Sequence, residues 1–209
     1  MKLITLGDSI TRGSFLDLNN TWQVATPNYS SILQSLLGFD ELQCVGINGI
    51  SVSRTSHTNS EYAMSMICKD LKDADIFVIA GGTNDWATDV PLGDERDETD
   101  VTFYGGLHVL YSQVKKNNEN AKIFAVLPIN RKNQNTAKNK HGLLVDEYRA
   151  AIEKRANSFG FYVIDGRQIA FDPDVKEEQE KFMPDGLHPN DAGHKLYAEL
   201  LYSEIKKHL

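Results

Sequence analysis

Lys2-Leu3-Ile4-Thr5-Leu6 runs straight into Gly7-Asp8-Ser9, a short apolar run closed by a turn. Five residues are too few for a buried helix, whereas an apolar run of this length bounded by glycine reads as a strand covered on both faces. The pattern recurs at residues 42–47, 75–80, 121–129 and 161–165. Stretches of helical period separate these runs. Phe103, Leu107, Leu110, Tyr111 and Val114 fall on one helix face, as do Leu144, Tyr148, Ile152 and Ala156. A terminal helix carrying Leu196, Tyr197, Leu200, Leu201 and Ile205 follows Asn190, whose side chain suits a cap. Because parallel strands need crossover helices on both faces, the expected fold is α/β. It is a three-layer α/β/α sandwich around a doubly wound, flavodoxin-like parallel five-stranded sheet. A length of 209 residues, at ~150 per domain, leaves room for one domain spanning 1–209.

Ligands of such a sheet bind beyond the C-terminal ends of its strands. The informative residues lie there: Gly7-Asp8-Ser9 after the first run, Gly46-Ile47-Asn48-Gly49 after the second, and Gly81-Gly82-Thr83-Asn84-Asp85 after the third. Residues 94–98 and 172–180 are acidic, residues 131–141 basic and rich in Asn, and all three read as solvated connections.

Composition excludes several classes. The chain is 41% hydrophobic and 24% charged, which fits a globular protein and not a disordered or membrane-embedded one. Its net charge of −7 would repel a phosphate backbone, so nucleic acid is not an expected partner, and neither is membrane insertion. Without an apolar stretch near its first residues, the chain is expected to be cytoplasmic. Cys44 and Cys68 have neither the number nor the spacing of a disulfide framework and are expected as small core residues.

There is no phosphate loop, dinucleotide turn, His-Glu-x-x-His or Gly-x-Ser-x-Gly elbow. What remains is Ser9, in a turn where it is either a nucleophile or a helix cap, and the late segment Asp185-Gly186-Leu187-His188-Pro189-Asn190. A serine hydroxyl needs a base, and the base needs an acceptor on its other ring nitrogen. Asp185 and His188, three apart in a loop tightened by Gly186 and Pro189, fit that need; the bland reading is a turn cap and a packed ring. His57, His108, His141, His194 and His208 lack a carboxylate at this spacing and read as surface or packing residues. Asp185, His188, Asp191 and His194 recur every third residue, as metal ligands do, but Pro189 breaks helical continuity, so no metal is expected. The amide of Gly49 and the side chain of Asn84, each otherwise an ordinary turn residue, would join the Ser9 amide as donors to an oxyanion.

Gly7-Asp8-Ser9, Gly49, Gly82-Thr83-Asn84-Asp85 and Asp185-Gly186-Leu187-His188-Pro189 stand in the order of the four blocks of the SGNH hydrolases, also called GDSL esterases and lipases. The resemblance runs from residue 3 to about residue 200, with Cys44 standing where many members carry asparagine. It implies Ser9 as nucleophile, His188 as base, Asp185 as its orienter, and Ser9, Gly49 and Asn84 as the oxyanion hole, with no metal or organic cofactor. The expected activity is serine carboxylic-ester hydrolysis through an acyl-enzyme, on short acyl (acetyl) esters of carbohydrates or other small alcohols. Trp22 or Trp86 would serve as a stacking platform or pack in the core. Other readings of the same residues are a lysophospholipase- or thioesterase-type acyl hydrolase, an acyltransferase, or a silent carbohydrate-binding module.

Overall fold

The computed structural model describes residues 1–55 and 62–209, so His57 lies outside the described residues. Five parallel strands form the central sheet: β1 (Lys2–Gly7), β4 (Glu41–Gly46), β5 (Ile76–Ala80), β6 (Lys122–Val126) and β7 (Tyr162–Ile164). Their spatial order is β4-β1-β5-β6-β7, the flavodoxin-like order expected. Two short strands, β2 (Ser14–Leu16) and β3 (Trp22–Val24), make a separate antiparallel hairpin that the apolar runs did not announce.

The alternation of side chains along the strands builds the layers. Ile4 and Leu6 of β1, Phe77 and Ile79 of β5, and Ile123 and Ala125 of β6 face one core, against α5 (Phe103–Asn117) and α6 (Val145–Phe159). Leu3, Ile76, Val78, Phe124 and Val126 face the other, against α2 (Tyr29–Leu37) and α8 (Asp191–Lys206). Asn190 caps α8 as expected, its side chain accepting from the amides of Ala192 and Gly193. The remaining helices are short: α1 (Ser9–Arg12), α3 (Met64–Ile67), α4 (Thr83–Ala87) and α7 (Lys176–Phe182). Among the described residues no helix is long and apolar enough to cross a membrane.

Two expectations need correction. Cys44 is exposed, not a core residue, because β4 is an edge strand, with no strand on its outer side among the described residues and only partial cover on its faces. Cys68 is buried. The acidic stretch 172–180 is not all loop: Lys176 begins α7, whose first-turn Glu177 and Glu178 suit a helix N-terminus.

The strand register places the chemistry. Gly7 lies opposite Gly46 on one side and Ala80 on the other, and Ala80 lies opposite Val126. The turns after β1, β4, β5 and β6 therefore leave the sheet on a common rim.

Candidate active site

Ser9 starts α1 directly after β1. Asp8 caps the helix through its carboxylate, which accepts from the Ile10 amide at 2.9 Å. Gly13, in the left-handed region at φ +93°, ends the helix after four residues. Ser9 is thus held on a one-turn helix at the rim.

Across the rim, the loop between α7 and α8 brings His188 to it. The Ser9 hydroxyl lies 2.9 Å from His188 Nε2, and His188 Nδ1 lies 2.7 Å from Asp185 Oδ2. The other oxygen of Asp185 accepts from the amides of Leu187 at 2.9 Å and His188 at 2.7 Å, so the carboxylate holds both the ring and the backbone that carries it. Burial raises the pKa of Asp185, but the hydrogen bonds from the His188 ring and from these amides outweigh it and hold the carboxyl below the usual range. An ionised Asp185 fixes the imidazole proton on Nδ1 and leaves the Nε2 lone pair to accept from Ser9.

The donor side is built from the turn after β4. Ile47 N–H donates to Gly7 O at 3.1 Å, and Ser14 Oγ donates to Asn48 Oδ1 at 2.9 Å, which ties this turn to the segment that carries Ser9. Asn84 Nδ2 donates to Ile50 O at 2.8 Å, using one of its two N–H groups. Asp85, fully buried, accepts from Val52 N–H at 2.8 Å and Ser53 N–H at 3.0 Å. Burial pushes its carboxyl up to about 6, with these amides opposing the shift. Residues 47–53 are pinned from both sides, with Gly49 between the pins.

The two glycines of this turn differ in what they do. A Cβ on Gly46 would sit 2.2 Å from the backbone nitrogen of Arg12, so Gly46 lets β4 and α1 approach. Gly49 has φ +72° and open space where its Cβ would point. Its backbone needs glycine's freedom.

The other expected candidates go elsewhere. Asp191 accepts from Thr26 N–H at 3.1 Å, and His194 is buried, its Nδ1 accepting from Tyr29 N–H at 3.2 Å. Trp86 is 6% exposed and its indole N–H donates to Leu143 O at 3.0 Å, which makes it a packed residue. Trp22 is 59% exposed and presents its ring edge-on to His188, centroids 5.5 Å apart. Sequence reasoning missed the buried carboxylates of Asp8 and Asp85 and the buried Arg149 as architectural groups. For Asp85 the signal was present, an acid one residue after Asn84 and directly before an apolar tryptophan.

Comparison with known proteins gives the family and the fold. A model of the GDSL-like lipase/acylhydrolase family matches residues 5–196. A Lactobacillus plantarum protein of known structure is 28% identical, with a TM-score of 0.85 over 100% of this chain and 97% of that one. The M. smegmatis aryl esterase, 18% identical, shares the fold, with a TM-score of 0.71 over 100% of this chain and 99% of its own. No curated protein matches in sequence.

Proposed function

The chain belongs to the GDSL-like lipase/acylhydrolase family and is an ester-bond hydrolase, and on that premise we propose that it is a serine carboxylic-ester hydrolase working through an acyl-enzyme. The observation that carries this reading is the unbroken chain from Ser9 Oγ through His188 to Asp185, at 2.9 and 2.7 Å. Ser9 Oγ attacks the ester carbonyl carbon while His188 Nε2 takes the hydroxyl proton. The carbonyl oxygen becomes an oxyanion, met by N–H donors of Ser9, Gly49 and Asn84, each worth about 3 kcal/mol in the transition state. Collapse breaks the bond to the alcohol oxygen, which leaves with the proton from His188. Water then repeats the sequence, losing a proton to His188, and releases the acid as the Ser9 hydroxyl reforms.

Short acyl groups, acetyl foremost, suit the site. A cavity of about 20 Å³ opens beside the nucleophile's turn, bounded by Asp8, Ile10, Leu127, Thr83 and Leu187. Exposed Trp22 beside His188 offers a flat apolar face to a sugar or other small alcohol. Ser9→Ala should abolish hydrolysis of p-nitrophenyl acetate and of acetylated sugars while the fold is kept. Near-normal kcat in that variant would remove Ser9 from its role.

A further inference from the structure

Arg131 stands out among the residues around the site. It lines the same small cavity as Asp8, Ile10 and Leu187. Its guanidinium lies over the ring of Trp86, 4.8 Å from the centroid, and Nη1 donates to Thr83 Oγ1 at 3.3 Å. No carboxylate pairs with it among the described residues, in contrast to Arg149, whose Nη1 meets Asp146 at 2.7 Å. Asp185 acts on it through space, but that carboxylate is already committed to His188 and two amides. Of the five N–H donors on a guanidinium, one has a described side-chain partner.

The position of Arg131 is fixed by its surroundings. Arg149, 2% exposed, donates from Nε to Pro128 O, and from Nη2 to Ile129 O and Gln134 Oε1, all at 2.8 Å. Gln134 Oε1 in turn accepts from Arg131 N–H at 3.4 Å, and Lys132 N–H donates to Gly186 O at 2.8 Å in the loop that carries His188. A half-buried, unpaired cation costs desolvation, and burial here lowers the pKa of the guanidinium. A chain of net charge −7 that keeps such a cation in the cavity beside Asp8, Ile10 and Leu187, the chain neighbours of Ser9 and His188, holds it where an anion would complete the pairing.

We propose that Arg131 selects esters that carry a carboxylate close to the scissile bond, pairing its guanidinium with that anion as the ester carbonyl meets Ser9. This rests on the ester-hydrolase reading above and narrows its substrate class. The carboxylate can sit on the acyl or on the alcohol side, and the test separates the two. Each anionic ester is compared with its neutral amide isostere: monoethyl succinate with ethyl succinamate for the acyl side, and 4-acetoxybenzoate with 4-acetoxybenzamide for the alcohol side.

On one of the two sides the wild-type protein should favour the anion in kcat/KM by roughly tenfold or more, the scale of a charge-assisted pair. In Arg131→Met that ratio should fall to about one or below, and Arg131→Lys should restore part of it. A purely structural role for Arg131 would lower both members of a pair by the same factor and leave the ratio standing. A wild-type ratio near one on both sides, or a ratio that persists in Arg131→Met, overturns the proposal and leaves ester hydrolysis intact. Failure of the wild-type protein to hydrolyse all four esters and p-nitrophenyl acetate would overturn the hydrolase reading, and this inference with it.

Discussion

The two sides of the candidate site are built by different means. On the proton-transfer side, Ser9, His188 and Asp185 meet through side chains 179 residues apart in sequence, and Asp185 is only partly buried. On the donor side, residues 47–53 are held by main-chain bonds to Asn84 and to Asp85, which is wholly buried. The two aspartates show the difference. Hydrogen bonds to the ring and to two amides hold Asp185 below the usual carboxyl range, whereas burial lifts Asp85 to about 6 despite two amide donors. One carboxylate is arranged to stay charged and to hold an imidazole. The other is arranged to fasten a loop.

Asparagine at each position should separate these roles. Asp185→Asn keeps the shape but removes the acceptor that fixes the proton on Nδ1, so kcat for p-nitrophenyl acetate should fall by roughly 10³- to 10⁴-fold. Its melting temperature should move little. A loss of stability as large as the loss of rate would erase the distinction between the two sides.

A smaller effect, on stability, comes from the buried acids. In Asp85→Asn one of the Val52 and Ser53 amides faces an NH₂ in place of an oxygen, which should cost about 1–3 kcal/mol in denaturant unfolding. Asp8 differs because its carboxylate accepts a single amide, from Ile10, which asparagine can also accept. Burial raises Asp8 to about 6, above its unfolded value, so the native carboxyl favours folding while protonated and loses that contribution as pH rises from about 4 through 6. Asp8→Asn should therefore gain on the wild type between pH 4 and pH 8, by on the order of 1–3 kcal/mol, as read from paired unfolding curves. Equal destabilisation by both variants at pH 8 would show that the two acids are not placed as described.

The sheet was legible because its strands are apolar runs ended by glycine turns, a local signal that burial on both faces makes strong. The hairpin of β2 and β3 was not, because three-residue strands such as Trp22-Gln23-Val24 are too short to show a period. Cys44 was misread for a related reason: apolar neighbours mark a strand, but nothing local tells an edge strand from a central one. The spacing of Asp185 and His188 was readable within one loop. The clamp by Arg149 was not, since it joins a helix to carbonyls that any residue could supply. The same holds for the unpaired state of Arg131, which only the folded arrangement reveals.

The central claim is that Ser9 becomes covalently acylated because His188 activates it. Labelling of the folded protein with a fluorophosphonate, followed by mass spectrometry of its peptides, tests this most directly. The account predicts a single adduct on Ser9 that forms at least a hundredfold more slowly in His188→Ala, in keeping with the loss of a positioned general base. An adduct on another residue, or labelling of Ser9 at an unchanged rate without the imidazole, would contradict it.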